Sequence, residues 1–130
     1  MQIVIDASVI MAVLFNEPSK PEIIGITEGT DLIAPSSLPW EVGNAISANV
    51  KRKRITPEQA IDVAQSFEFV QVRLIDIDLK EAIEMSSRFM IYAYDAYILC
   101  CASTMNASLL CLDMQMMELA EKLGIKTIKV

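Results

Sequence analysis

The chain contains no histidine. That absence removes the commonest general base, the Ser-His and Cys-His nucleophile pairs, and every zinc site that needs an imidazole. Glycine is scarce, four in 130 residues, and neither a P-loop nor a dinucleotide fingerprint is present. Of the three cysteines, Cys100 and Cys101 are adjacent and neither they nor Cys111 have metal-ligand spacing. Buried thiols in a reducing compartment are expected, rather than a disulfide or a zinc site. The longest apolar run, Val9 to Phe15, falls far short of the roughly 20 residues of a membrane helix. The first residues lack a basic segment, and Asp6 interrupts their apolar stretch, unlike a signal peptide. A cytoplasmic protein without membrane contact is the expectation, and its chemistry falls to carboxylates.

Positive charge is also in short supply. A net charge of -6 opposes any polyanionic ligand, although divalent cations at an acidic cluster would invert the local field. Four of the eleven basic residues form one run, Lys51, Arg52, Lys53 and Arg54. It reads either as a phosphate-contacting patch or as a solvated helix end favoured by the macrodipole.

What is present suits one domain, residues 1–130, long enough to bury roughly two-thirds of its unfolded surface. The pattern predicts strands at Gln2 to Ile5, Asp31 to Ala34, Val70 to Ile75, Ser108 to Leu112 and Ile125 to Val130. Between them it predicts helices over Ala7 to Phe15, a short one capped by Ser19, and one opening near Ser37 and Glu41 and running to Lys51. Three more run from Thr56 to Phe67, from Asp78 to about Met90 and from Tyr94 to Met105, and the last is Met114 to Leu123. Thr56-Pro57-Glu58-Gln59 has the cap, the first-turn proline and the glutamine of a capping box, and Asp78 with Glu81 repeats the pattern. Short apolar strands alternating with helices argue an α/β fold, a parallel sheet covered on both faces through right-handed crossovers.

Four acids sit where short apolar runs stop: Asp6 after Ile3-Val4-Ile5, Glu41 after Pro39-Trp40, Asp95 after Tyr92-Ala93-Tyr94, and Asp113 after Leu109 to Leu112. Each alone could cap a helix or face its dipole. Four in apolar company need a cation, donors or a proton. In open α/β sheets sites form beyond the carboxyl ends of the strands, at the point where strand order switches. Asp6 and Asp113 end the first and fourth strands and meet there if those strands are neighbours. A receiver domain needs an acidic pair after its first strand, and a haloacid-dehalogenase-type phosphatase needs Asp-x-Asp; here Ala7 and Ser8 follow Asp6.

The segments Ile3-Val4-Ile5-Asp6-Ala7-Ser8, Glu41-Val42-Gly43-Asn44-Ala45, Tyr94-Asp95-Ala96-Tyr97 and Leu112-Asp113 resemble, in order, the motifs of the PIN-domain nucleases. In length the chain resembles the VapC toxins of VapBC toxin–antitoxin modules. The resemblance implies a three-layer sandwich around a five-stranded parallel sheet of order 3-2-1-4-5. It implies that Asp6, Glu41, Asp95 and Asp113 hold Mg2+ or Mn2+ for catalysis, supported by Ser8 and Asn44. It further implies an endoribonuclease leaving a 5′-phosphate and a 3′-hydroxyl, an antitoxin partner and a homodimer. A non-catalytic PIN scaffold that binds RNA or a protein is the alternative. Two positions depart from the family pattern: Cys111 stands where many relatives have Thr or Ser, and Met116 where some have a further acid.

Overall fold

The computed structural model describes residues 1–130. Strands β1 (Gln2–Ile5), β2 (Asp31–Pro35), β3 (Arg73–Ile75), β4 (Ser108–Leu110) and β5 (Thr127–Ile128) form one sheet of order β3-β2-β1-β4-β5. Every pairing in it is parallel. Seven helices connect the strands: α1 (Ala7–Leu14) and α2 (Lys20–Thr27) after β1, α3 (Leu38–Lys51) and α4 (Pro57–Phe67) after β2, α5 (Leu79–Phe89) and α6 (Ala93–Met105) after β3, and α7 (Met114–Lys122) before β5.

Alternation along the strands sorts side chains between two cores. Val4, Ile33 and Leu109 face one layer, with Ile98, Leu99 and Cys101 of α6 and Met116, Met117 and Ala120 of α7. Ile3, Ile5, Ala34 and Leu110 face the other, with Val9 to Ala12 of α1, Ile23 of α2 and Leu38, Val42 and Ile46 of α3. Ala82, Ala96 and Cys100 weld α5 to α6. The three-layer α/β sandwich is as expected. From β1 the chain steps outward to β2 and β3, then returns past β1 to β4 and steps the other way to β5. Strand order therefore switches between β1 and β4, whose register pairs Ile5 with Leu110, and a crevice opens beyond their carboxyl ends.

Three strands are shorter than the sequence pattern indicates. Strand β3 starts at Arg73 rather than Val70, because the Val70 N–H closes the turn after α4 on Phe67 O at 3.0 Å. Strand β5 starts at Thr127, because the Ile125 N–H returns to Ala120 O at 2.9 Å across left-handed Gly124 (φ 77°) and caps α7. Strand β4 stops at Leu110 rather than Leu112, whose N–H leaves the ladder for Ser8 Oγ.

The caps divide similarly. Thr56 and Gln59 form the reciprocal capping box, with bonds of 3.1 and 2.9 Å. Asp78 caps α5 through the Lys80 N–H at 2.9 Å, a single bond without the return from Glu81. Ser19 and Ser37, both in helical backbone conformation, make no side-chain cap bond.

Candidate metal centre

Asp6 leaves β1 and is the N-cap of α1. Its Oδ1 accepts the Ser8 hydroxyl at 2.6 Å and the Val9 N–H at 3.2 Å, and no other charged residue of the chain is buried. Ser8 Oγ also accepts the Leu112 N–H at 3.4 Å. One hydroxyl thus ties the chain leaving β1 to the chain leaving β4. Asp113 is the N-cap of α7, and its Oδ1 accepts the N–H groups of Gln115 at 2.9 Å and Met116 at 3.3 Å. In both aspartates one carboxylate oxygen anchors a helix. The other accepts nothing from another residue.

Glu41 and Asp95 lie in the first turns of α3 and α6 and cap nothing. Glu41 Oε2 is buried without a hydrogen-bond partner, and so is Ser37 Oγ four residues before it. A buried carboxylate oxygen left without a donor is costly unless a proton or a cation answers it.

The four acids interact as a ring. Burial pushes the Glu41 carboxyl up to about 7, with the charges of Asp6 and Asp95 adding to it. Burial raises Asp6 above the usual carboxylate range; the bonds from Ser8 and Val9 pull it back, and the charge of Asp113 pushes it up. Asp95 is raised by burial and then by Asp113. Mutual repulsion therefore runs from Asp6 to Glu41, Asp95 and Asp113 and back to Asp6.

The donor set fits a divalent cation in kind. Four carboxylates, with no thiolate or imidazole among them, suit a hard, oxygen-seeking ion, and Glu41 Oε2 lacks the partner such an ion would supply. No three acidic or cysteine side chains are drawn together closely enough to ligate one ion as they stand.

The PIN-domain family profile matches residues 3–122. The chain belongs to the PIN-domain family. PIN domains are in general nucleases, and the family generally uses divalent metal. Solved structures with the same fold include PAE2754 from Pyrobaculum aerophilum, 21% identical with a TM-score of 0.66 over 98% of this chain and 92% of that one. VapBC2 from Rickettsia felis, bound to a DNA fragment from its promoter, is 14% identical with a TM-score of 0.71 over 99% and 98%. A PilT N-terminus domain protein from Sulfolobus solfataricus is 17% identical with a TM-score of 0.52 over 99% and 87%. No curated protein sequence matches significantly.

Neither Asn44 nor the basic run makes a side-chain hydrogen bond or ion pair with the acids of this PIN domain. Asn44 is exposed, and only its backbone carbonyl is engaged, by Ser47 Oγ at 2.9 Å. Lys51 to Arg54 are exposed and form no ion pair; the sole salt bridge is Arg73 with Asp31 at 2.9 Å. At about 1.5 Å per residue, Lys51 lies about 15 Å along α3 from Glu41, so the basic run does not touch the acids.

At the two departures from the family pattern the structure gives a reason. Burial pushes the Cys111 thiol up to about 12, with Asp6 adding to it. Cys111 therefore keeps its proton and donates weakly to Asp113 O at 3.6 Å, holding the turn as a hydroxyl would. Met116 is buried in the core beneath α7, where an acid could not stay charged without a partner.

An aromatic cavity at the first turns of α3 and α6 was not singled out from the sequence. Its signal was available, since Trp40 and Tyr94 each immediately precede a site acid.

Protonation of Glu41 sets a pH dependence whose sign follows from linkage. Its folded value of about 7 lies above the ordinary 4.5, so its stabilising contribution is complete below pH 4.5 and is lost as pH rises through 7. Discounted for partial exposure, the loss is roughly 1–2 kcal/mol. In denaturant titrations of the cation-free protein, Glu41→Gln should gain this amount over wild type at pH 7.5 and nothing at pH 4. A difference independent of pH would contradict the assigned strain.

Proposed function

We propose that residues 1–130 act as a single PIN domain that hydrolyses RNA phosphodiester bonds endonucleolytically with Mg2+ or Mn2+. The observation that carries the reading is the closed ring of repulsion among Asp6, Glu41, Asp95 and Asp113, with one buried carboxylate oxygen unanswered.

In this reading Asp6 and Asp113 hold the cation with the oxygens that do not cap helices, and Glu41 and Asp95 complete the ligand set. A bound cation supplies Lewis acidity for the phosphate, a lowered pKa for water and charge for the developing oxyanion. Ser8 fixes the Asp6 carboxylate and carries the tie to Leu112, so the β1 and β4 sides of the site keep their spacing. One acid of the ring takes the water's proton. Asn44 lies one turn along α3 from Glu41 and, with Ser8, orients carboxylates or water. Lys51 to Arg54 contact phosphates of the strand farther from the scissile bond.

The VapBC2 likeness, together with the family, supports a toxin role. In that role the chain is a homodimer in the cytoplasm, paired with an antitoxin protein. No helix is long and apolar enough to cross a membrane.

A second reading, a PIN scaffold that binds RNA or a protein without cutting, is favoured by one observation: no three acids are placed to ligate an ion. Cleavage separates the two. Asp6→Asn and Asp95→Asn should each lower metal-dependent cleavage of RNA at least about 100-fold, the upper range for loss of even an outer-shell partner. Circular dichroism should remain that of the wild type, because Asn caps α1 about as well as Asp. If expression of the wild type arrests growth, both substitutions should relieve it. Cleavage at wild-type rates in both variants would remove the acids from the reaction.

The basic run has its own readout. Replacing Lys51 to Arg54 with Gln should flatten the logarithmic salt dependence of RNA binding by about 0.7 for each phosphate that is no longer neutralised. An unchanged slope would return the run to a solvated helix end.

A further inference from the structure

Two buried side-chain polar atoms of this chain have no hydrogen-bond partner, Ser37 Oγ and Glu41 Oε2, and both belong to one turn of one helix. The Glu41 N–H bonds to Ser37 O at 3.1 Å at the start of α3, and Ser37 already has helical backbone angles (φ -73°, ψ -13°). Residues four apart on a helix are neighbours on one face, with about 5–6 Å between their Cβ atoms. Long side chains there lean back toward the helix N-terminus. Helix geometry thus sets the Ser37 hydroxyl and the Glu41 carboxylate on the same face.

The Ser37 hydroxyl is committed to nothing else. A capping serine needs non-helical backbone, and Ser37 makes no cap bond. Its oxygen is covered, so bulk water does not reach it. The backbone is held on both sides: the Ser36 N–H bonds to Ile75 O of β3 at 2.9 Å, and Leu38 is fully buried in the core. A fixed, dry hydroxyl without a partner is costly unless a second state of the site uses it.

The Asp6 side of the site shows what such a hydroxyl does. Ser8 Oγ donates to Asp6 Oδ1 at 2.6 Å, whereas Glu41 Oε2 has no donor. Carboxylates that ligate a cation are as a rule hydrogen-bonded themselves, and the donor orients them. We infer that Ser37 is the positioning residue of Glu41: when Glu41 serves as a ligand, the Ser37 hydroxyl donates to its carboxylate and orients it toward the cation. The hydroxyl turns on a single side-chain bond, so its hydrogen can be aimed while the α3 backbone stays in place. Ser37 touches neither cation nor substrate and acts through Glu41. The inference rests on the cation-site reading and adds to it a residue outside the four acids.

Calorimetric titration of Mn2+ separates this role from one in packing. Ser37→Ala should weaken Mn2+ binding about 10- to 100-fold, the range for loss of an outer-shell partner. Ser37→Thr, which keeps the hydroxyl, should recover most of the loss. Without metal the expected sign is opposite. Alanine removes a buried polar group that has no partner, so the melting temperature of metal-free Ser37→Ala should equal or exceed that of the wild type.

Wild-type Mn2+ affinity in Ser37→Ala, beside an Asp113→Asn protein that has lost it, would overturn the positioning role and leave the cation site standing. A lowered metal-free melting temperature in Ser37→Ala, with an affinity that Ser37→Thr does not recover, would assign the hydroxyl to packing and also overturn it. No saturable Mn2+ binding by the wild type would remove the cation-site reading and this inference with it.

Discussion

Repulsion among four carboxylates at one edge of an apolar sandwich is the constraint against which the rest of the fold is set. Two full charges 4 Å apart repel by about 4 kcal/mol at an effective dielectric of about 20, against a total stability of about 5–15 kcal/mol for a typical domain. Such a cluster persists only if the elements that carry it are fixed by other means. Here they are fixed by two cores on opposite faces of one sheet, and the four acids sit at the ends of β1, β4 and the first turns of α3 and α6.

Each acid meets the constraint differently. Asp6 and Asp113 give one oxygen to a helix N-terminus, where the macrodipole favours negative charge. Glu41 has no donor and meets it by holding a proton near neutral pH. Asp95 remains half-buried under the field of Asp113. Ser8 adds the only side-chain link between the chain leaving β1 and the chain leaving β4, and Cys111 steadies the turn that delivers Asp113. An arrangement that is strained alone and relieved by a cation is what a metal-dependent site requires, since binding to the folded state adds to its stability.

The sheet and the acids were legible because each left a strong local mark. Val4 and Ile5 belong to a run too short for anything but a buried strand, and Asp6 ends it abruptly. The Thr56 to Gln59 box announced α4 by its own chemistry. The edge strands were overread because Val70 and Ile125 look like strand residues, while their N–H groups are committed to closing α4 and α7. That choice is made by long-range geometry, which apolar pattern does not record. Ser19 followed the same rule: the residue type suggested a cap, but its backbone is already helical. The link from Ser8 to Leu112 spans 104 positions and has no local signature. The basic run at Lys51 to Arg54 was conspicuous in sequence, yet the length of α3 carries it away from the acids.

The central claim is that these four carboxylates are one cation site. Calorimetric titration of Mn2+ into the wild type and Asp113→Asn at pH 6 and pH 8 tests it most directly. The account predicts saturable binding by the wild type that tightens between pH 6 and pH 8 as Glu41 gives up its proton, and markedly weaker binding by Asp113→Asn. Equal affinity in both proteins, with no dependence on pH, would contradict it.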